Sequence, residues 1–130
     1  MDQETRRFIR RLGFPLGFVG VIFAIHLLQA ILNLDLRRLG VFPREVDGLP
    51  GILTGPLIHG SWEHLFSNSV SFIMLGAVLF WFYPRIALRS IIWLYLLSGF
   101  GIWISGQPFS YHIGASGIVY GMVCLLYTSP

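Results

Sequence analysis

Four long apolar stretches, separated by more polar connections, dominate the pattern of hydrophobic and polar positions along this chain. They cover about residues 14–32, 62–82, 86–104 and 113–127. A helix needs about 20 apolar residues to cross a bilayer, so the first three stretches predict membrane spans and the fourth falls short of that length. The pattern therefore predicts an all-α, polytopic transmembrane helix bundle that forms a single domain over residues 1–130, with its fourth helix cut before it crosses.

Composition supports a membrane protein and excludes a small soluble domain. Of the 130 residues, 55% are hydrophobic and only 12% are charged, which is more apolar surface than a soluble domain of this size can bury. The net charge is +3, and all nine basic residues are arginine. Because they cluster at segment ends instead of forming one basic face, we expect the lipid bilayer as a partner and no nucleic acid.

The positions of the arginines predict the topology. Four of them precede the first span and place the N-terminus in the cytoplasm: Arg6, Arg7, Arg10 and Arg11. The connection with Arg85 and Arg89 is expected inside, whereas residues 105–112 carry no charged side chain and fit the outside. The connection over residues 33–61 must then also lie outside. Since it is long and partly apolar, we expect it in the membrane interface or against the bundle.

This topology brings polar side chains from two segments to a similar depth. His64 and Asn68 are four residues apart near the outer end of the second segment and share a helix face. Ser116 opens the fourth segment, inside the small-residue run 114–117 (GASG). A serine that attacks a carbonyl needs a base, and the oxyanion that forms needs fixed donors. Taken alone, Ser116 is more simply interpreted as a packing residue and His64 as a residue of the membrane interface. Because the two lie at a similar depth in the membrane, the sequence favours a hydrolase.

The sequence around both positions resembles that of rhomboid intramembrane serine proteases. Residues 59–68 (HGSWEHLFSN) are similar to the histidine and asparagine signature of the family's second helix. Residues 114–121 (GASGIVYG) are similar to its nucleophile motif. The resemblance extends over about residues 53–124 and implies that the chain holds about four of six helices.

The resemblance also implies a role for six residues and a class of substrate. The implied roles are nucleophile for Ser116, oxyanion-hole side chains for His64 and Asn68, close backbone approach for Gly114, packing beside the catalytic histidine for Tyr120, and structural support for His59. Transmembrane protein substrates would be cleaved near the outer membrane face, without a cofactor or metal. The lone Cys124 is expected to be a packing residue. A bacterial inner membrane is the expected location.

The family's general-base histidine lies on its sixth helix, which this chain lacks, so the chain by itself is expected to be inactive. His112 stands four residues before Ser116, but the resemblance gives it no such role. One alternative function is a non-catalytic rhomboid-like protein that binds membrane proteins; the intact Ser116 favours the enzyme. A transporter fragment would need ionisable residues near the bilayer midplane, where only His26 is a candidate.

Overall fold

The computed structural model describes residues 1–129 as a bundle of helices, which confirms the predicted all-α class. Its α-helices are α1 (Gln3–Arg11), α2 (Gly13–Leu32), α3 (Gly51–Thr54), α4 (Trp62–Phe82), α5 (Ala87–Ser105) and α6 (Ser116–Thr128). Among residues 1–129, three helical stretches are long and apolar enough to cross a membrane: Gln3–Leu32, Trp62–Phe82 and Ala87–Ser105. These helices identify the chain as an integral membrane protein.

Two helices begin at positions that the apolar stretches did not predict. The arginine-rich N-terminus is itself helical. The Asp2 carboxylate caps α1 by accepting a hydrogen bond from the Thr5 amide at 2.7 Å. At the other end of the chain, α6 begins at Ser116 rather than at residue 113. The intervening residues form a turn in which Gly114 has a φ of +102°, a conformation that L side chains rarely adopt.

Helix α4 lies between α2 and α6 and carries much of the core. Phe72, Leu79, Ile118 and Met122 are almost completely buried at this contact. A Cβ added at Gly76 would lie 3.0 Å from Cγ of Pro15 and 3.9 Å from Cε of Met122. The absent side chain at Gly76 thus lets α2 approach α4 closely, as small residues commonly do between membrane helices.

Helix α6 packs on α5 through two glycines one turn apart. A Cβ at Gly117 would lie 3.1 Å from Cβ of Ser98, and a Cβ at Gly121 would lie 2.8 Å from Cδ2 of Leu94. The two helices therefore meet with little space for any larger residue at these positions. This close contact fixes the position of Ser116 at the start of α6.

The long connection between α2 and α4 packs against the bundle, as predicted. Ile52 of α3 fills the space over Gly99 of α5, where an added Cβ would lie 2.8 Å from the Ile52 Cγ2. The Arg44 side chain donates to the carbonyls of Ile104 and Gly106 at 2.8 and 3.1 Å, at the end of α5. These contacts hold the connection beside the turn that leads into α6.

Candidate active site

His64 and Asn68 occupy one face of the first turns of α4. The Ser61 hydroxyl accepts a hydrogen bond from the His64 amide at 3.2 Å, which fixes where α4 begins. Asn68 is 6% exposed, and its Nδ2 is buried without a hydrogen-bond partner among residues 1–129. Buried amide donors are nearly always paired, so an unpaired one is a donor available to a bound group.

Gly114 brings the turn before α6 directly against this face. A Cβ added at Gly114 would lie 2.9 Å from Cε1 of His64, 3.5 Å from its Nε2 and 3.6 Å from Nδ2 of Asn68. The turn therefore touches both predicted oxyanion side chains two residues before the predicted nucleophile. The expected proximity of the second and fourth apolar segments is present in the fold.

Ser116 is the first residue of α6. Its amide lies where a helix leaves N–H groups without an internal acceptor. Within the described part of the chain, neither that amide nor the hydroxyl has a hydrogen-bond partner. Ser116 borders a cavity of about 90 Å³ that is also lined by Gly114, Ser98 and His112. A cavity of this volume with polar groups in its wall can hold water.

His59 supports the turn from below. It is 1% exposed, and its Nε2 accepts a hydrogen bond from the Ala115 amide at 3.2 Å. Nδ1 of His26 donates to the His59 carbonyl at 3.1 Å. Burial, together with the smaller effects of the neighbouring His64 and His26 rings, lowers the pKa of His59 to about 4. His59 is therefore neutral at physiological pH, as an Nε2 that accepts from Ala115 requires.

Two backbone contacts that sequence reasoning missed also hold the turn. The Gly114 amide donates to the Gly55 carbonyl at 2.9 Å. Val41 and His112 form an antiparallel bridge through two backbone hydrogen bonds of 2.9 and 2.8 Å. No side-chain pattern signals backbone pairing between residues so far apart in sequence.

The remaining candidates lie away from the His64 and Asn68 face. Tyr120 is 71% exposed on α6, and its implied packing beside the general-base histidine stays a prediction. The ring of His112 borders the Ser116 cavity, but its Nε2 lies 3.1 Å from the Gln107 carbonyl, to which it donates. His26, considered above as a midplane ionisable group, is buried beside His59 instead.

The fold and this site together define a class: a polytopic helical membrane protein in which the turn before Ser116 lies against a histidine and a carboxamide at one end of the bundle. Residues 47–129 match the Rhomboid domain, which is more than half of the chain. The chain therefore belongs to the rhomboid family, as its motifs indicated.

Similar proteins occur in mycobacteria. The uncharacterized protein Rv1337 of Mycobacterium tuberculosis and the uncharacterized protein Mb1372 of Mycobacterium bovis are each 30% identical over 120 residues, which covers 85% of this chain and 48% of the relative. The uncharacterized protein ML1171 of Mycobacterium leprae is 26% identical, covering 96% of this chain and 53% of the relative. This chain thus spans about half the length of the curated relatives it matches. No solved structure matches it.

Proposed function

We propose that the protein is an intramembrane serine endopeptidase that cleaves transmembrane proteins near the outer membrane face. The observation that carries the proposal is the contact of Gly114 with His64 and Asn68, where a buried Asn68 donor has no partner among residues 1–129. An unpaired donor against the turn that leads directly into a serine at a helix N-terminus is what an oxyanion hole requires.

In the proposed reaction, the Ser116 oxygen attacks the carbonyl carbon of the scissile peptide bond while its proton passes to a base. The oxyanion that forms accepts hydrogen bonds from the Ser116 amide, the Asn68 amide and the His64 ring. Collapse of the intermediate breaks the C–N bond and releases the amine, which takes up the proton. Water then attacks the acyl-enzyme, releases the carboxylic acid and restores the serine.

The base is proposed to come from the part of the protein outside residues 1–130, as the family resemblance implies. His112 is a poor alternative because its Nε2 already donates to Gln107 and its backbone is paired with Val41. His59 is equally unsuited, since its Nε2 accepts from the Ala115 amide. The chain of residues 1–130 alone is therefore predicted to be inactive.

The proposed topology follows from the arginines. The basic α1 would lie in the cytoplasm, and the first turns of α4 and α6 would lie in the outer half of a bacterial inner membrane. That depth gives water access to Ser116 and limits cleavage to substrate segments near the same surface. A protease acting on membrane-embedded substrates needs both conditions.

Cleavage of a fluorescent transmembrane reporter in liposomes by the full-length protein tests the proposal. We expect Ser116→Ala to abolish cleavage and Asn68→Ala to reduce kcat about 10²–10³-fold, the usual effect of removing one oxyanion donor. Ser67→Ala, next to Asn68 and exposed, is the matched control and should leave the rate nearly unchanged.

Two outcomes would overturn the assignment. Full cleavage by the Ser116→Ala variant would exclude this serine as the nucleophile. Saturable binding of the reporter by the wild-type protein without cleavage would identify a non-catalytic membrane-protein binder. Turnover by residues 1–130 alone that depended on Ser116 would refute the external base but not the nucleophile.

A further inference from the structure

The opposite end of the bundle carries a second, basic pocket. Helix α1 packs against the last turn of α4, where the rings of Phe8 and Trp81 meet edge to face with their centroids 4.9 Å apart. Between them and the start of the next connection lies a cavity of about 420 Å³. His64 is 17 residues before Trp81 on α4, so this cavity is about 25 Å from the candidate active site along the helix axis.

The charges that line this cavity are mostly positive. Three of its lining residues are arginines, Arg7, Arg11 and Arg85, and one is the acidic Glu4, so the lining carries a net charge of +2. Within residues 1–129, none of the three guanidinium groups has a side-chain hydrogen bond or an ion pair. Like charges gathered without a counterion repel one another, and a bound anion relieves that repulsion.

The rest of the wall is apolar and aromatic. Phe8, Phe80, Trp81 and Pro84 complete the lining. Trp81 is half exposed and stands one residue before the end of α4, where a spanning helix leaves the hydrocarbon region. Aromatic side chains at that level contact the boundary between acyl chains and headgroups. The pocket thus joins phosphate-binding groups to a surface suited to a lipid.

We propose that this pocket binds an anionic phospholipid, with its phosphate between the arginines and its glycerol and upper acyl chains against the Phe8 and Trp81 rings. Guanidinium groups bind phosphate through paired N–H donors, which favours Arg over a point charge. The lipid is favoured over a free phosphate because a small inorganic anion makes no use of the aromatic wall. Binding would fasten α1 to α4 at this membrane boundary.

To test this proposal, the full chain in dodecylmaltoside micelles is titrated separately with short-chain phosphatidylglycerol, short-chain phosphatidylcholine and inorganic phosphate. Binding is measured by tryptophan fluorescence and by native mass spectrometry. We expect saturable binding of phosphatidylglycerol and much weaker binding of the other two. Each basic residue near an anionic membrane surface contributes about 1 kcal/mol, so Arg7→Gln/Arg85→Gln should weaken binding roughly tenfold or more.

Two variants separate the pocket from general charge attraction. Arg6→Gln/Arg10→Gln removes the same amount of charge, both residues from α1. Neither residue lines the cavity, so binding should change less than threefold. Glu4→Gln removes the one opposing charge and should tighten binding, an effect that a misfolded variant would not produce.

The proposal is overturned if phosphatidylcholine binds as tightly as phosphatidylglycerol, which would indicate a nonspecific lipid contact. It is also overturned if inorganic phosphate binds as tightly, which would indicate a free-anion site. Equal losses in the Arg6/Arg10 and Arg7/Arg85 double variants would show that net charge, not the pocket, attracts the lipid.

Discussion

Replacing Gly114 by alanine tests the contact on which the candidate site depends. Gly114 has a φ of +102°, and an added Cβ would lie 2.9 Å from Cε1 of His64. An alanine held in such a backbone conformation costs about 1–3 kcal/mol, and forcing a methyl group into a filled space costs about 1–3 kcal/mol more. We therefore expect Gly114→Ala to lower the free energy of unfolding by roughly 2–6 kcal/mol.

The assay is reversible unfolding in mixed dodecylmaltoside and sodium dodecyl sulfate micelles, followed by circular dichroism. Gly60→Ala is the matched control, because the nearest atom to its added Cβ is Cδ1 of Ile113 at 3.7 Å, an ordinary contact. Its free energy of unfolding should stay within about 0.5 kcal/mol of wild type. In the full-length protein, Gly114→Ala should also reduce cleavage, because the methyl group displaces the His64 ring.

A wild-type stability and cleavage rate for Gly114→Ala would refute this reasoning. It would mean that the turn before α6 lies farther from His64 than the structure shows. Destabilisation by Gly60→Ala of the same size would instead point to a general sensitivity of the outer end to added volume.

Three further predictions follow from other contacts. The folded pKa of His59 is about 4, mainly because of burial, whereas its ordinary value is 6.5, so between these pH values the unfolded state binds a proton that the folded state does not. The free energy of unfolding should therefore be highest above pH 6.5 and fall between pH 6.5 and about 4. Unfolding measured against pH should show a flatter dependence for His59→Gln. Gly121→Val should push α6 from α5 and destabilise by about 1–3 kcal/mol, whereas Gly101→Val, with no atom near its added Cβ, should not. Arg44→Gln should speed hydrogen exchange of the amides around Arg44, and Arg38→Gln should not, because Arg44 donates to the carbonyls of Ile104 and Gly106 at the end of α5 and Arg38 makes no such bond among residues 1–129.

The helices could be read from the sequence because their cause is local. The second apolar stretch, expected at 62–82, is α4 (Trp62–Phe82), where a run of apolar residues lies between the Ser61 cap and Pro84. The start of α6 was placed three residues too early, since hydropathy does not register that residues 113–115 form a turn around a positive-φ glycine. The helix α1 was missed because its polar composition gives no apolar stretch, although its N-terminal cap at Asp2 is a recognisable signal.

The candidate site could be predicted only as a set of residues. Ser116, His64, Asn68, Gly114 and His59 were singled out by spacing and family resemblance. The hydrogen bonds that hold these residues in place could not be predicted, because each joins two residues that are between 33 and 59 positions apart in the sequence. They run from the Ala115 amide to His59, from the Gly114 amide to the Gly55 carbonyl, and from His26 to the His59 carbonyl. The packing of Tyr120 beside the general-base histidine stays a prediction, because that histidine is not among the residues described; Tyr120 itself is exposed.

The sequence by itself determined that this chain is an apolar helical bundle of the rhomboid family, because hydrophobic length and short motifs are properties of neighbouring residues. Only the tertiary structure decided that the connection before α4 supports the turn before α6, that Asn68 keeps an unpaired donor beside Gly114, and that α1 closes a basic pocket at the other end. The physical reason is that such contacts depend on how close glycine-lined helices can approach, and distance between separate segments is not encoded in any local pattern.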